Sequence, residues 1–129
     1  MLKKTVTYTD YNGNSRTEDF YFNLTSAELT DMQLSAEGGL DKMIEKIVNA
    51  QDIPAIAGVF KDLLLKSYGE RSADGKYFFK KDKDGRPLAD MFAQSEAYSV
   101  LYMELARDDK AAVAFFNGIV PQDLLKAAQ

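Results

Sequence analysis

The side chains with most chemical potential lie between Gly75 and Arg86, where acidic, basic and aromatic residues follow one another closely. Asp82-Lys83-Asp84-Gly85 carries part of the pattern of a calcium loop, in which oxygen ligands alternate and glycine makes a sharp turn at the sixth position. Setting Gly85 there puts Lys80 first and Met91 twelfth, where carboxylates are needed; setting Gly75 there leaves Lys81 twelfth. Neither frame completes a cage, so the run reads as a solvated turn. Lys76, Lys80, Lys81, Lys83 and Arg86 also surround Tyr77, Phe78 and Phe79, a mixture that can hold single-stranded nucleic acid by phosphate contacts and stacking. Asp74, Asp82 and Asp84 dilute that charge. The favoured reading is an extended segment with one or two rings in the core and its lysines in water, and nucleic acid is disfavoured as a partner.

Other constellations fare no better. Glu18-Asp19 falls in a strand, where neighbours point to opposite faces, and Asp108-Asp109 is needed to start a helix. Gly38-Gly39 precedes a helix, as a phosphate site would, but Glu37 and Asp41 flank it with the wrong charge, and a helix cap with linker explains it. Asn23-Leu24-Thr25 fits a glycosylation triplet, yet its residues serve a strand exit and a helix cap. Met32, Met43, Met91 and Met103 fall on or near helix faces as ordinary core filling. The chain has no cysteine and no histidine. That removes disulfides, thiolate sites, the commonest general base and every serine–histidine pair. The expectation is a protein that is not an enzyme, with no metal and no cofactor.

The elements that would position any site are clearer. Leu2 to Thr9 alternates, with Lys4, Val6 and Tyr8 on one side and threonines on the other. Asp10-Tyr11-Asn12-Gly13-Asn14 makes a turn, and a second alternating run carries Phe20 and Phe22. Two strands alone are marginal in water, so the phenylalanine face must lie on helices. Thr25-Ser26-Ala27-Glu28 is a capping box, with Leu24 and Leu29 placed as its hydrophobic staple. Its helix carries Leu29, Met32 and Leu34 inward and ends before Gly38-Gly39. A second helix spans Leu40 to Ala50.

The central helix, Asp52 to Gly69, is the most strongly patterned. Ile56, Val59, Phe60, Leu63, Leu64 and Tyr68 form one stripe, with Asp52 as N-cap, Pro54 in the first turn and Gly69 as C-cap. Pro87 then opens a helix with Leu88, Met91, Phe92, Ser95, Tyr98, Leu101, Tyr102 and Leu105 on one face, broken near Ser95. The last helix begins after Asp108 or Asp109, turns Ala112, Val113, Phe115 and Phe116 inward, and is capped by Asn117-Gly118 ahead of Pro121.

The predicted fold class is α+β, mainly α: an N-terminal β-hairpin followed by about five helices around one core. A single domain covers 1–129, with the hairpin at 1–24, a helical body at 25–121, a polar loop at 70–86 and a tail at 122–129. With 129 residues, 46% hydrophobic and 28% charged, the chain is in the globular range and needs no staple. Its net charge of −4 argues against wholesale nucleic-acid binding. No signal peptide or membrane span is read, so a cytoplasmic protein is expected.

Three stretches together carry a family likeness: Phe20-Tyr21-Phe22-Asn23-Leu24-Thr25-Ser26-Ala27-Glu28-Leu29, Leu63-Leu64-Leu65-Lys66-Ser67-Tyr68-Gly69, and Ser95-Glu96-Ala97-Tyr98-Ser99-Val100-Leu101 leading to Phe115-Phe116-Asn117-Gly118-Ile119-Val120-Pro121. The chain resembles the tail assembly chaperones of long-tailed bacteriophages and prophages, especially those of Gram-positive hosts. The resemblance implies a protein of the bacterial host cytoplasm that binds the tape measure protein, keeps its apolar helices soluble and helps recruit tail tube protein. It implies self-association too, and, by its end at Gln129, the shorter of two forms that frameshifting makes in many relatives. The expected partner site is an apolar groove beside the hairpin or on the last helix, formed by Tyr98, Leu101, Tyr102, Phe115, Phe116 and Ile119. That placement requires Phe115 and Phe116 to be reachable from solvent. A structural component of the phage particle, such as a connector or tube-associated subunit, is the alternative, and a nucleic-acid-binding regulator the third reading.

Overall fold

Alternation at the N-terminus produces what the pattern requires. In a computed structural model that describes residues 1–31 and 61–121, strands β1 (Leu2–Thr9) and β2 (Ser15–Phe22) pair antiparallel, with Leu2 opposite Phe22 and Tyr8 opposite Arg16. Asp10 organises the turn between them. Its Oδ1 accepts from the amides of Asn12 and Asn14, and Arg16 Nε donates to its Oδ2 at 2.6 Å. Gly13 takes the positive φ of 85° that this turn demands.

The Asp82 turn repeats that geometry. Asp82 Oδ1 accepts from the amides of Asp84 and Arg86, Asp82 N donates to Arg86 O, and Gly85 sits at φ 82°. The Asp82 carboxylate is thus spent on its own backbone.

The capping box forms as read. Thr25 N donates to Glu28 Oε1 at 2.9 Å and Glu28 N donates to Thr25 Oγ1 at 3.1 Å, opening helix α1 (Ser26–Asp31). Leu24 and Leu29 are both buried. Residues 61–67 are helical (α2) and end differently from expectation. The stripe does not run on through Tyr68 to a cap at Gly69; Tyr68–Arg71 is strand β3, pairing Tyr21 with Gly69 and Phe22 with Tyr68. The buried Ser67 hydroxyl donates to the carbonyls of Leu63 and Leu64, and Leu64 O is the acceptor that Tyr68 N would have used had the helix gone on.

Gly69 is a strand glycine because of crowding and not because of its φ. A Cβ there would lie 2.5 Å from Phe79 O and 2.7 Å from a Phe78 ring carbon. Phe78–Phe79 forms strand β4, paired with β3, so the sheet has four antiparallel strands in the order β1-β2-β3-β4. The stretch 70–86, read as a polar loop, therefore contains sheet.

Pro87 precedes helix α3 (Leu88–Phe92), and the chain breaks before Ser95, whose hydroxyl accepts from Tyr98 N to cap helix α4 (Glu96–Arg107). Met91, assigned to the inward face, is 73% exposed because the break rotates α3 away from the frame of α4. Asp108 caps helix α5 (Asp109–Ile119) by accepting from the amides of Lys110 and Ala111. The last helix is not stopped by Asn117-Gly118: it continues to Ile119, and a Cβ at Gly118 would come 2.9 Å from the tip of the Leu2 side chain.

Among the described residues the architecture is α+β, with a four-stranded sheet in place of a hairpin alone and five helical segments. Apolar residues cluster between the inner sheet face and the helices, with Val6, Phe22, Leu64, Phe92, Leu101 and Phe116 among them. The predicted helix over Leu40–Ala50, the start of the central helix with Asp52, Pro54, Ile56, Val59 and Phe60, the positions Met32, Leu34, Gly38, Gly39 and Met43, and the tail 122–129 lie outside the described residues.

Candidate partner interface

The six residues expected at the partner site separate into two groups. Leu101, Phe116 and Ile119 are wholly buried and Phe115 is 3% exposed, so in this conformation they belong to the core and offer no contact surface. Tyr98 and Tyr102, one turn apart on α4, are half-buried with ring centroids 5.8 Å apart. Their burial follows from position. Ala97, Leu101 and Leu105 point into the core at four-residue spacing, and the tyrosines flank that stripe.

An aromatic cluster leads from the core to this pair. Phe92 is its hub: Tyr68 stacks on it at 4.3 Å and 8°, and Phe20, Phe22 and Tyr98 approach at 5.4, 5.8 and 5.7 Å. Phe115 meets Phe22 edge-on at 5.2 Å. Such offset and edge contacts add to the burial of the rings themselves. At the outer end the Tyr98 hydroxyl is pushed up from its usual pKa by burial, and further by its neighbour Tyr102. It is therefore a neutral donor and acceptor at physiological pH, on an apolar base. That combination suits the apolar face of an amphipathic helix whose polar margin can bond to a phenol.

The basic stretch keeps Lys76, Lys81, Lys83 and Arg86 exposed, as expected, and departs from the expectation of lysines in water at Lys80. Lys80 is drawn inward: its ammonium donates to Glu28 Oε2 at 2.9 Å, to Asn23 O at 2.9 Å and to Lys66 O, and lies 5.5 Å from the Phe78 ring centre. All three donors of one ammonium are used, on three separate segments. Burial pushes the Glu28 carboxyl up, but the bonds from Lys80 and from the Thr25 amide outweigh it and leave the carboxyl below its usual range. Lys80 is a structural pin, removed from any basic patch. On the opposite strand face Tyr77 and Phe79 stand 60% and 46% exposed, stacked at 6.1 Å.

Sequence reasoning placed Lys80 in the basic stretch and did not foresee its role as a pin, which depends on a neighbour 52 positions away. It gave Val100 no role of its own and read Met103 as core filling, whereas both are exposed on α4. Their three-residue spacing off the main stripe was the available signal.

Fold and surface define a small α+β protein whose described residues bring together no cluster of metal-ligating side chains. A family model described as phage tail assembly chaperone matches residues 1–129, and the chain belongs to that family. No curated protein and no solved structure matches it significantly. Membership implies interaction with phage tail proteins. Among the described residues no helix is long and apolar enough to cross a membrane.

Proposed function

We propose that this protein is a non-enzymatic chaperone of the host cytoplasm that binds the phage tape measure protein, keeps its apolar helices soluble until the tail tube assembles, and aids recruitment of tube subunits. The family match over residues 1–129 carries this reading. The aromatic cluster supports it by reaching the surface at Tyr98 and Tyr102, where an amphipathic client helix can dock. A half-exposed pair gives moderate, reversible affinity, which suits a protein that must leave during assembly.

The test is co-expression with the tape measure protein of the same phage. The expected result is that the tape measure protein stays soluble and co-purifies, and that finished virions lack this chain. Aggregation of the tape measure protein regardless, with this chain present in virions, would favour a structural subunit.

A further inference from the structure

Strand β2 is bonded along its whole length on one side and over a short stretch on the other. All eight of its residues pair with β1, whereas β3 meets it only through Tyr21 with Gly69 and Phe22 with Tyr68. Asn23 N donates to Ser67 O at 2.8 Å in that same register, so the odd-numbered residues of β2 turn their N–H and C=O groups toward β3. The next bonded position in the series would be Asp19 opposite Arg71, and among the described residues it is not paired. The strands part there, and the backbone groups of Asp19, Thr17 and Ser15 face a gap instead of a neighbour.

A cavity of about 380 Å³ lies between the parting strands, with Glu18, Asp19, Phe20, Tyr68, Glu70 and Arg71 in its lining. Side-chain alternation sorts the charges. Glu18, Phe20, Tyr68 and Glu70 share the inner face of the sheet; Asp19 and Arg71 share the outer face, where their opposite signs offset one another. Glu18 is met by the Tyr8 hydroxyl and, at 3.8 Å, by Arg16 Nη1. Glu70 is exposed and has neither hydrogen bond nor ion pair among the described residues. Burial first, then the charges of Glu70 and Glu18, push the Tyr68 phenol up from its usual pKa, so both carboxylates bear on one point of the cleft. Phe79, opposite Glu70 in the β3–β4 ladder and 46% exposed, adds a ring beside them.

We infer that this cleft takes an extended, cationic segment of a partner protein, which adds to the open edge of β2 through the backbone of Thr17 and Asp19 and sets a lysine or arginine between the Glu18 and Glu70 carboxylates, beside the Phe79 ring. Charge complementarity selects this occupant. An acidic strand would bring like charges against Glu70, and an apolar one would cover that carboxylate without giving it a partner. Backbone bonds supply affinity with little regard to sequence, and the acidic inner face supplies the choice of side chain. The cleft shares no residue with the Tyr98–Tyr102 surface, so the inference stands or falls apart from the client reading of that pair.

Titrating the isotope-labelled full chain by nuclear magnetic resonance with the capped peptide Thr-Val-Lys-Val-Thr, and with its counterpart carrying glutamate for lysine, tests this. Two variants sharpen it. The Thr17 N–H faces the gap, so Thr17→Pro removes no backbone bond to β1 but blocks the arriving strand. Glu70→Lys reverses the charge of an exposed side chain. The expected results are saturable shifts of the Thr17, Asp19 and Arg71 amides with the lysine peptide and none with the glutamate peptide. Glu70→Lys should weaken the lysine peptide at least about tenfold and admit the glutamate peptide, and Thr17→Pro should abolish binding of both. Absence of shifts at millimolar lysine peptide overturns the inference, as does binding that Glu70→Lys leaves unchanged. Shifts that capped lysine alone reproduces also overturn it, because charge without a strand would then suffice. If Thr17→Pro fails to fold, the Glu70→Lys exchange and the capped-lysine control decide.

Discussion

The Lys80 ammonium lies 2.9 Å from Glu28 Oε2, joining the strand end after β4 to the capping box of α1 across 52 residues of sequence. The same ammonium holds the carbonyls of Asn23 and Lys66, at the exits of β2 and α2. Three connections meet at one charge, so that charge sets how the N-terminal hairpin, α2 and β4 sit together. Lys80→Met keeps the aliphatic stem and removes every one of these bonds. With both partners partly exposed, the expected loss is about 1–2 kcal/mol, well short of a fully buried pair. Urea unfolding would show it as a lower midpoint with an unchanged slope; an unchanged midpoint would mean that water replaces the ammonium at no cost.

Acid should unfold the protein through a small set of carboxylates. Asp10 is held below its usual pKa by the Arg16 side chain first and the Asn14 amide next; Asp74 is lowered by the Lys76 amide and the Ser72 hydroxyl; Glu28 is lowered against its own burial by Lys80 and the Thr25 amide. A folded pKa below the unfolded one contributes stability that is present above the unfolded value and lost as pH falls through the folded value. Stability from these groups is therefore complete at neutral pH and declines below about pH 4, where unfolded carboxyls take up protons. Thermal midpoints measured from neutral pH downward should hold and then drop, and Asp10→Asn should flatten part of the drop while lowering the neutral value. A midpoint that rises on acidification would contradict these assignments.

Two glycines offer a paired test. A Cβ at Gly69 would meet the Phe79 carbonyl at 2.5 Å, which is backbone held in the β3–β4 ladder and cannot withdraw. Gly69→Ala should cost about 1–3 kcal/mol as an overpacked site. At Gly118 the close atom is the tip of Leu2, which can change rotamer, and alanine gains about 1 kcal/mol of helix propensity over glycine. Gly118→Ala should therefore fall within about 1 kcal/mol of wild type. Equal effects at the two positions would show that the crowding at Gly69 is relieved elsewhere.

What could be read from the sequence was what depends on near neighbours. The hairpin, its Asn12-Gly13 turn, the Thr25–Glu28 box and the Ser95 and Asp108 caps each rest on residues a few positions apart, and each is present. The failures share another cause. Gly69 and Gly118 look like helix caps locally, and only the approach of Phe78, Phe79 and Leu2 from distant segments shows them to be close-packing glycines. Leu101, Phe115, Phe116 and Ile119 carry the same apolar signal whether they face a core or a client, and periodicity cannot separate the two. Lys80 was invisible because a lysine reads as solvated until its three acceptors are brought to it.

Phe92 holds the aromatic cluster together, touching Phe20, Phe22, Tyr68 and Tyr98 while only 4% exposed. Phe92→Ala should cost about 3–5 kcal/mol by transfer and cavity formation, and Phe92→Leu distinctly less. Near-ultraviolet circular dichroism should weaken in both variants, since the ring packs against two tyrosines, Tyr68 and Tyr98. A Phe92→Ala variant as stable as wild type would show that the cluster collapses without loss.

The client surface is tested most directly where the cluster reaches solvent. Tyr98 and Tyr102 are half-buried, so replacing both by serine removes an apolar, hydrogen-bonding platform while leaving Leu101 and Leu105 in place beneath it. The double variant should lose about 1–3 kcal/mol of stability, since the part of each ring that packs on the core is lost too. Binding should suffer more than folding: the solubilised fraction of tape measure protein should fall at least about tenfold if the pair is a hot spot. Conversion to phenylalanine separates the two contributions. It keeps the rings and removes the hydroxyls, so retained stability with weakened binding would assign the phenols to the client. Full solubilisation by the serine variant would move the client site elsewhere, with exposed Met91 on α3 the next position to alter.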